Sequence, residues 1–170
     1  MTVALVNDRR AKILARLDVI LSALSIKLMD GSTVTGKFVH NRNELPADMV
    51  PGLILLDADE VSDPSTLRAI AGRQLPMGAK LMRMTPEIYA VLDVRKPANV
   101  NVSEDLNLMR GAILSAIYHD QTLSDICGSN GQIVYDGCVT DLARNRTMKG
   151  QLGISVSFVY PLFPQELAYV

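Results

Sequence analysis

Apolar residues recur at intervals of three and four between Ile13 and Leu24, while arginine and lysine side chains occupy the opposite face. This spacing is typical of an amphipathic helix and predicts one from about residue 7 to residue 24. Asn7 or Asp8 can cap this helix, because their side chains accept hydrogen bonds from the free N–H groups of the first turn. We expect the apolar stripe to pack on a sheet and the basic face to meet water or a partner.

A second helix is predicted from Ser103, which can act as its N-cap, with Glu104 and Asp105 in the first turn, where the helix dipole favours anions. Its buried stripe recurs at helical spacing and consists of Leu106, Met109, Ile113 and Ile117. A shorter helical turn at about 122–127 is expected to stop at Gly128, because glycine tolerates the backbone conformation that ends helices.

Period-two alternation predicts the strands. The clearest case is 151–160, where large apolar side chains alternate with small residues. The other strands predicted in this way are 33–40, 80–94 and 133–142, while the fully apolar run at 53–56 is predicted as a short central strand. Pro86 lacks a backbone N–H, so we expect it at a sheet edge, a bend or a bulge.

Most successive strands are joined by short links, which favours antiparallel pairing. We therefore expect an α+β fold, with a mostly antiparallel sheet and two main helices packed on one face. Residues 1–170 are expected to form a single domain. Within it, 61–79 follow no clear period and are predicted to be a mobile loop, while 161–170 contain two prolines and are predicted to be an extended C-terminal tail.

Composition and charge narrow the class of protein. The chain has 17 basic and 18 acidic side chains and a formal net charge of −1, without the global basic excess typical of nucleic-acid-binding proteins. The sequence has no secretory signal pattern, and no apolar stretch approaches the ~20 residues of a membrane span. Cys127 and Cys138 suit a reducing compartment, although one disulfide is conceivable. These features predict a protein used in a cytoplasm-like setting.

The sequence contains no recognisable catalytic motif. The two histidines, His40 and His119, are interpreted as structural, and His119 is expected to finish a helix. The acidic run at 57–60 is a weak candidate for a cation site, because a strand end followed by a solvated turn produces the same pattern. The G-S-N-G run at 128–131 is interpreted as a helix stop and turn, since no phosphate-loop ending follows it. We therefore predict no enzyme activity, no cofactor and no metal.

Polar and basic segments suggest contact surfaces instead. The basic run at 144–149 and the basic face of the first helix would form one positive surface if the fold brings them together. The polar loops 41–52 and 61–79 are longer than a minimal connection, as expected of segments that order against a partner. The predicted partner or ring interface consists of Arg9, Arg10, Arg16, Arg42, Glu44, Asp59, Glu60, Arg68, Arg73, Arg144, Arg146 and Lys149.

Four segments carry a resemblance to a known family. They are R-R-A-K-I-L-A-R-L at 9–17, N-R-N-E-L-P-A-D-M-V-P-G-L-I-L-L-D-A-D-E at 41–60, P-E-I-Y-A-V-L-D-V at 86–94, and V-S-F-V-Y-P at 156–161. Through them the chain resembles the tail terminator (tail completion) proteins of long-tailed bacteriophages, the family that includes the phage lambda tail terminator. The segment at 41–60 is the most distinctive of the four.

The resemblance implies a small α+β subunit that closes into a homohexameric ring. Such a ring sits on the head-proximal end of the tail tube in the virion, after assembly in the host cytoplasm. It stops tube polymerisation and presents a surface to a head-completion or connector protein. The implied partners are further copies of the chain, the tail tube protein and that connector, while DNA passes through the lumen without being read. The resemblance implies no catalytic residues and no membrane.

Two other functions stay open at this point. One is a different neck or head-completion component of the same kind of virion. The other is a small ligand-binding or enzyme domain with a pocket near His40, Asp57 and Glu60, because one histidine and two carboxylates suffice for proton-transfer chemistry when the fold brings them together.

Overall fold

The fold is given by a computed structural model that describes residues 8–63, 79–93, 102–129, 131–142 and 149–163. The described helices are α1 (Arg9–Ala23), α2 (Val102–Tyr118) and α3 (Gln121–Cys127), with a 3-10 turn at Ala47–Met49. The described strands are β1 (Ser25–Lys27), β2 (Thr33–Thr35), β3 (Phe38–His40), β4 (Gly52–Leu56), β5 (Glu60–Ser62), β6 (Lys80–Met84), β7 (Glu87–Asp93), β8 (Gln132–Leu142) and β9 (Lys149–Leu162).

Helix α1 begins after Asp8, whose carboxylate accepts hydrogen bonds from the N–H groups of Arg10 and Ala11 at 3.0 and 3.3 Å. The predicted helix and one of its two predicted caps are therefore confirmed. Ile13 and Leu17 have no exposed surface, so the apolar stripe packs inward as its spacing indicates.

Helix α2 starts at Val102, so the expectation that Ser103 caps it is wrong. Ser103 lies instead in the first turn. The predicted apolar stripe is buried, and Asp105 is buried with it. The Asp105 carboxylate accepts a hydrogen bond from the Met29 N–H at 2.8 Å, which ties α2 to the β1–β2 hairpin.

Helix α3 begins after Asp120, whose carboxylate accepts a hydrogen bond from the Leu123 N–H at 2.8 Å. It ends at Gly128, which has a φ of +76°. Glycine adopts this left-handed conformation without steric strain, and the predicted stop is confirmed.

Strand β9 lies inside a seven-stranded sheet. Its one edge pairs with β8, and its other edge pairs first with β7 and then with β6. Beyond these, β4 pairs with β7 and β5 pairs with β6, and β3 lies outside β4. Only β3 and β4 run parallel among the described pairs, so the sheet is mostly antiparallel, as predicted.

The structure corrects several predicted strand boundaries. The single strand predicted at 33–40 is two strands in different sheets, separated by Gly36 with a φ of +64°. The strand predicted at 80–94 breaks between Met84 and Glu87, and Pro86 lies in that break, as its missing N–H requires.

Part of each predicted irregular segment is a strand. Residues 61–62 of the predicted mobile loop belong to β5, residue 80 begins β6, and 64–78 lie outside the described residues. Residues 161–162 of the predicted tail end β9, and 164–170 lie outside the described residues.

One face of the sheet carries the helices. Alternate residues of β4, β7 and β9 join the buried stripes of α1 and α2 in one continuous core, which includes Leu55, Ile88, Leu92, Ile154 and Phe158. The fold is therefore α+β with both main helices on the same face, as the sequence predicts.

The opposite face is only partly covered. The segment between β3 and β4 folds over it and buries a small cluster of Val39, Leu45, Ile54 and Val91. Gly52 permits this close approach, because a Cβ atom there would lie 2.5 Å from the Met49 carbonyl oxygen. In the described part of the chain, a concavity opens on this face beside the distal half of the β8–β9 hairpin, which comprises residues 137–142 and 149–155.

Candidate assembly surfaces

The three arginines of α1 make contacts within the chain. The guanidinium of Arg16 donates to the Asp120 carboxylate at 2.6 Å from Nη2 and 3.1 Å from Nε. This hydrogen bond is the largest cause that holds the pKa of Asp120 below its ordinary value. Nη1 of Arg9 donates to the Ile126 carbonyl at 2.6 Å, and Nη2 of Arg10 donates to the Ala58 carbonyl at 2.9 Å.

Arg9, Arg10 and Arg16 therefore fasten α1 to α3 and to the β4–β5 link. The sequence predicts all three as interface residues, and that role stays a prediction. Such contacts could not be found from spacing, since Arg16 and Asp120 lie 104 positions apart. An arginine face on a helix is compatible with either use.

The other predicted interface residues are spread over the molecule. Arg42, Glu44 and Asp59 are exposed. Glu60 faces the core side, where it accepts a hydrogen bond from the Tyr160 hydroxyl at 2.5 Å. Lys149 opens β9 opposite Asp93. The remaining four, Arg68, Arg73, Arg144 and Arg146, lie outside the described residues.

His40 lies between two carboxylates. Its Nε2 is 2.6 Å from Oδ1 of Asp57, and its Nδ1 is 2.9 Å from Oδ1 of Asp18. Asn41 holds Asp57 in place, because its Nδ2 donates to Asp57 at 3.1 Å and its Oδ1 accepts from the Asp57 N–H at 3.0 Å. The cluster connects α1 to the ends of β3 and β4.

Both ring nitrogens of His40 are thus occupied by acceptors, and only the protonated ring can donate from both. Burial lowers the pKa of His40, but the hydrogen bonds and charges of Asp57 and Asp18 outweigh burial and raise it above the ordinary value. For Asp57, burial raises the pKa, and the hydrogen bonds from His40 and Asn41 outweigh it and lower the net value. This arrangement is typical of a structural clamp between elements.

The sheet face away from the helices carries a second polar cluster. Nε of Arg83 donates to the buried Asp63 carboxylate at 2.8 Å, and Nη1 lies 3.7 Å from Asp136. The Asp136 carboxylate accepts from the hydroxyl of Ser157, which is fully buried and also lies 2.7 Å from the Thr85 hydroxyl. Asp136 is the extra residue of a β-bulge that turns it toward Arg83.

Sequence reasoning missed this cluster. A signal existed for one member, because Asp136 precedes Gly137 inside a predicted strand and a glycine there often marks a bulge. Gly137 has a φ of +132°. No comparable signal marks Arg83 or Asp63.

A shallow concavity of about 310 Å³ lies beside the distal half of the hairpin. Glu87, Tyr89, Asp141 and Gln151 contribute polar side chains to it, and Val139 also lines it. The Tyr89 ring lies against Gly153, where a Cβ would be 3.1 Å from the ring. The Tyr89 hydroxyl donates to Glu87.

Large apolar side chains are exposed at several separate places. Val139, in the middle of the distal half of β8, is 75 % exposed, the largest exposure in this set. The others are Val19, Met29, Val61, Leu108 and Tyr118. Scattered apolar residues are normal on a protein surface. The position of an exposed apolar side chain in the sheet is therefore a better indicator of a contact site than the number of such side chains. Val139 and Val61 lie on edge strands of the sheet.

The remaining predicted chemistry has structural explanations. Nδ1 of His119 donates to the Ser115 carbonyl at 2.8 Å, at the end of α2. Gly131 lies so close to other backbone that a Cβ would be 2.2 Å from the Val159 carbonyl oxygen, which accounts for a glycine in this turn. Cys127 and Cys138 are free thiols. In the part of the chain that the structure describes, no three metal-binding side chains converge.

No protein-family model matches the chain, and no curated protein matches it significantly. None of the described helices is long and apolar enough to cross a membrane.

Proposed function

We propose that the chain is the tail terminator of a long-tailed bacteriophage. It closes into a homohexameric ring on the head-proximal end of the tail tube, stops tube polymerisation and provides the surface to which the head joins. The observation that carries the proposal is Val139, 75 % exposed in an edge strand that has no described partner on its outer side. Hydrophobic residues exposed on a strand edge are typical of contact sites.

Separate exposed places suit a subunit with several neighbours. A closed ring uses two different patches on each subunit, and a tube protein and a connector need further surfaces. Leu108 and Tyr118 are exposed on α2, while Val139 and Val61 are exposed on the sheet. The net charge of −1 fits a lumen through which DNA slides, because a strongly basic lumen would bind phosphates tightly.

The mass of the purified protein tests the proposal. We expect light scattering after size exclusion to give a hexamer, or a monomer that becomes a hexamer when tail tube protein is added. Negative-stain images should show rings, and adding the protein to polymerising tube protein should stop elongation. A monomer under all these conditions, with tubes of unchanged length, would refute the proposal.

The same assay separates a tail terminator from another neck component. A head-completion protein would bind connector and leave tube length unchanged, whereas a tail terminator shortens the tubes. Charge reversal at Arg144 and Arg146 should leave the fold intact and impair tube capping. Normal capping by that double variant would remove Arg144 and Arg146 from the predicted interface.

A further inference from the structure

Strand β8 forms one edge of the sheet. All its described backbone pairs are with β9. After the bulge at Asp136, the residues Cys138, Val139 and Thr140 are exposed. Natural sheets protect their edges with lysine, proline, bulges or a covering element. This half of β8 has neither lysine nor proline and follows the bulge. Among the described residues, no strand pairs with its outer edge.

Strand β5 belongs to the opposite side of the sheet, beyond β6. It pairs antiparallel with β6, and within the described residues nothing pairs with its outer side. Val61 is 54 % exposed, and Ser62 is also exposed. This short edge likewise has neither lysine nor proline. Within the described residues, β8 and β5 are therefore two edges that face in opposite directions and have no partner strand on their outer sides. Strand β3 also ends the sheet, beyond β4, but its central residue Val39 is buried.

The two exposed valines lie on the same face of the sheet. Val61 is opposite Arg83, and Val139 is opposite Gly153, both on the face away from the helices. Because side chains alternate, Ser62 and Cys138 lie on the helix side, opposite Met82 and Ile154, which contact the main core. In an antiparallel pairing of β5 with β8 that places Val61 beside Val139, Ser62 would lie beside Cys138.

We propose that β8 of one copy pairs with β5 of the next copy, so that the sheet continues from subunit to subunit. This inference rests on the proposed ring and names its contact. Joining opposite edges is a heterologous contact, which repeats in one direction and forms a ring when the rotation between successive copies closes. Backbone hydrogen bonds supply affinity, and the two valines fix the orientation of the faces.

Disulfide trapping tests this pairing. Cys127 is buried, and burial raises the pKa of its thiol to about 11, which leaves Cys138 as the reactive thiol. In the Ser62→Cys variant, each copy carries reactive thiols on both edges and on the same face. Mild oxidation should produce a ladder of linked chains up to the hexamer on a non-reducing gel, because facing Cβ atoms on paired strands lie within disulfide distance.

The matched control is Val61→Cys, which places the new thiol on the opposite face from Cys138 and should give no ladder. Moving the partner thiol to that face, with Cys138→Ser and Val139→Cys, should restore the ladder. A register shifted by two residues is tested by repeating Ser62→Cys with Cys138→Ser and Thr140→Cys, because Thr140 lies on the same face as Cys138.

The outcomes are distinguishable. A ladder in the same-face variants and none in the control supports the pairing. Dimers formed by the unaltered chain through Cys138 would indicate a symmetric β8–β8 contact and overturn it. A hexamer by light scattering that yields no ladder in any same-face variant overturns the pairing and leaves the ring proposal standing. A monomer with and without tube protein overturns both.

Discussion

The two halves of β9 differ in what surrounds them. Every side chain from Val156 to Tyr160 is fully buried, on both faces of the sheet. In the preceding half, Leu152 and Ile154 are buried on the helix side, while Gly153 and Ser155 border an open concavity. One uninterrupted strand thus contributes to the core at one end and to an exposed surface at the other. Alternation along a strand reveals its faces and not the covering of each face.

The largest expected effect comes from the buried half. Phe158→Ala removes a fully buried ring and should lower the free energy of unfolding by about 3–5 kcal/mol. Urea denaturation followed by circular dichroism measures it. The matched change in the open half, Val139→Ala, should alter the free energy of unfolding by less than about 0.5 kcal/mol. Similar losses in both variants would contradict the contrast between the two halves.

A smaller loss is expected at the polar cluster beside the buried half. Arg83→Met removes the guanidinium donor from the buried Asp63 carboxylate. We expect the free energy of unfolding to fall by about 1–3 kcal/mol. Arg42→Met, at an exposed arginine, serves as the control and should be neutral in the same denaturation experiment. Equal values for the two variants would mean that the cluster contributes nothing.

In the open half, charge should affect association and leave stability unchanged. Val139→Asp adds a carboxylate to the exposed strand edge. We expect it to weaken self-association at least tenfold, which corresponds to about 1.4 kcal/mol, with an unchanged urea midpoint. Sedimentation velocity over a concentration series measures the first quantity. Unchanged association would exclude this edge from the contact, and Val19→Asp, on the exposed side of α1, tests whether any added charge suffices.

The smallest effect is expected at His40, remote from both halves. Its raised pKa means that its contribution to stability is complete below its unfolded pKa, about 6.5, and is lost as pH rises through its folded value. The lowered pKa of Asp57 gives a contribution that is present above about 3.9 and is lost as pH falls through its folded value.

His40→Gln should therefore lower the free energy of unfolding by about 1 kcal/mol or less near pH 5.5, and by a smaller amount at alkaline pH. Urea midpoints measured from pH 5.5 to alkaline pH test this expectation, with His119→Gln as the histidine control. A cost for His40→Gln that does not vary with pH would contradict the clamp.

Sequence reasoning found the long elements because their periods repeat over many residues. The stripe of α1 and the alternation of β9 each give several concordant positions. Strands β1 and β5 were missed, since three residues carry no measurable period. Pro86 indicates an edge, bend or bulge within the predicted strand 80–94, but the sequence does not predict that this strand divides into β6 and β7.

The surfaces were less predictable than the fold. Exposed arginines were predicted as interface residues, whereas Arg10 and Arg16 meet acceptors far away in the sequence. Whether a charged side chain finds such an acceptor depends on tertiary structure, which spacing does not encode. The edge position of β8 likewise follows from topology, although the strand itself was predicted.

The lack of a side chain at Gly153 determines how closely Tyr89 approaches β9 in the concavity. It leaves room for the neighbouring phenol ring of Tyr89, and a methyl group at Gly153 would lie 3.1 Å from that ring. The ring would then have to give by a few tenths of an ångström, because β9 is held by pairs on both sides. A single methyl group at this position would thus displace the ring slightly while the underlying sheet keeps its course.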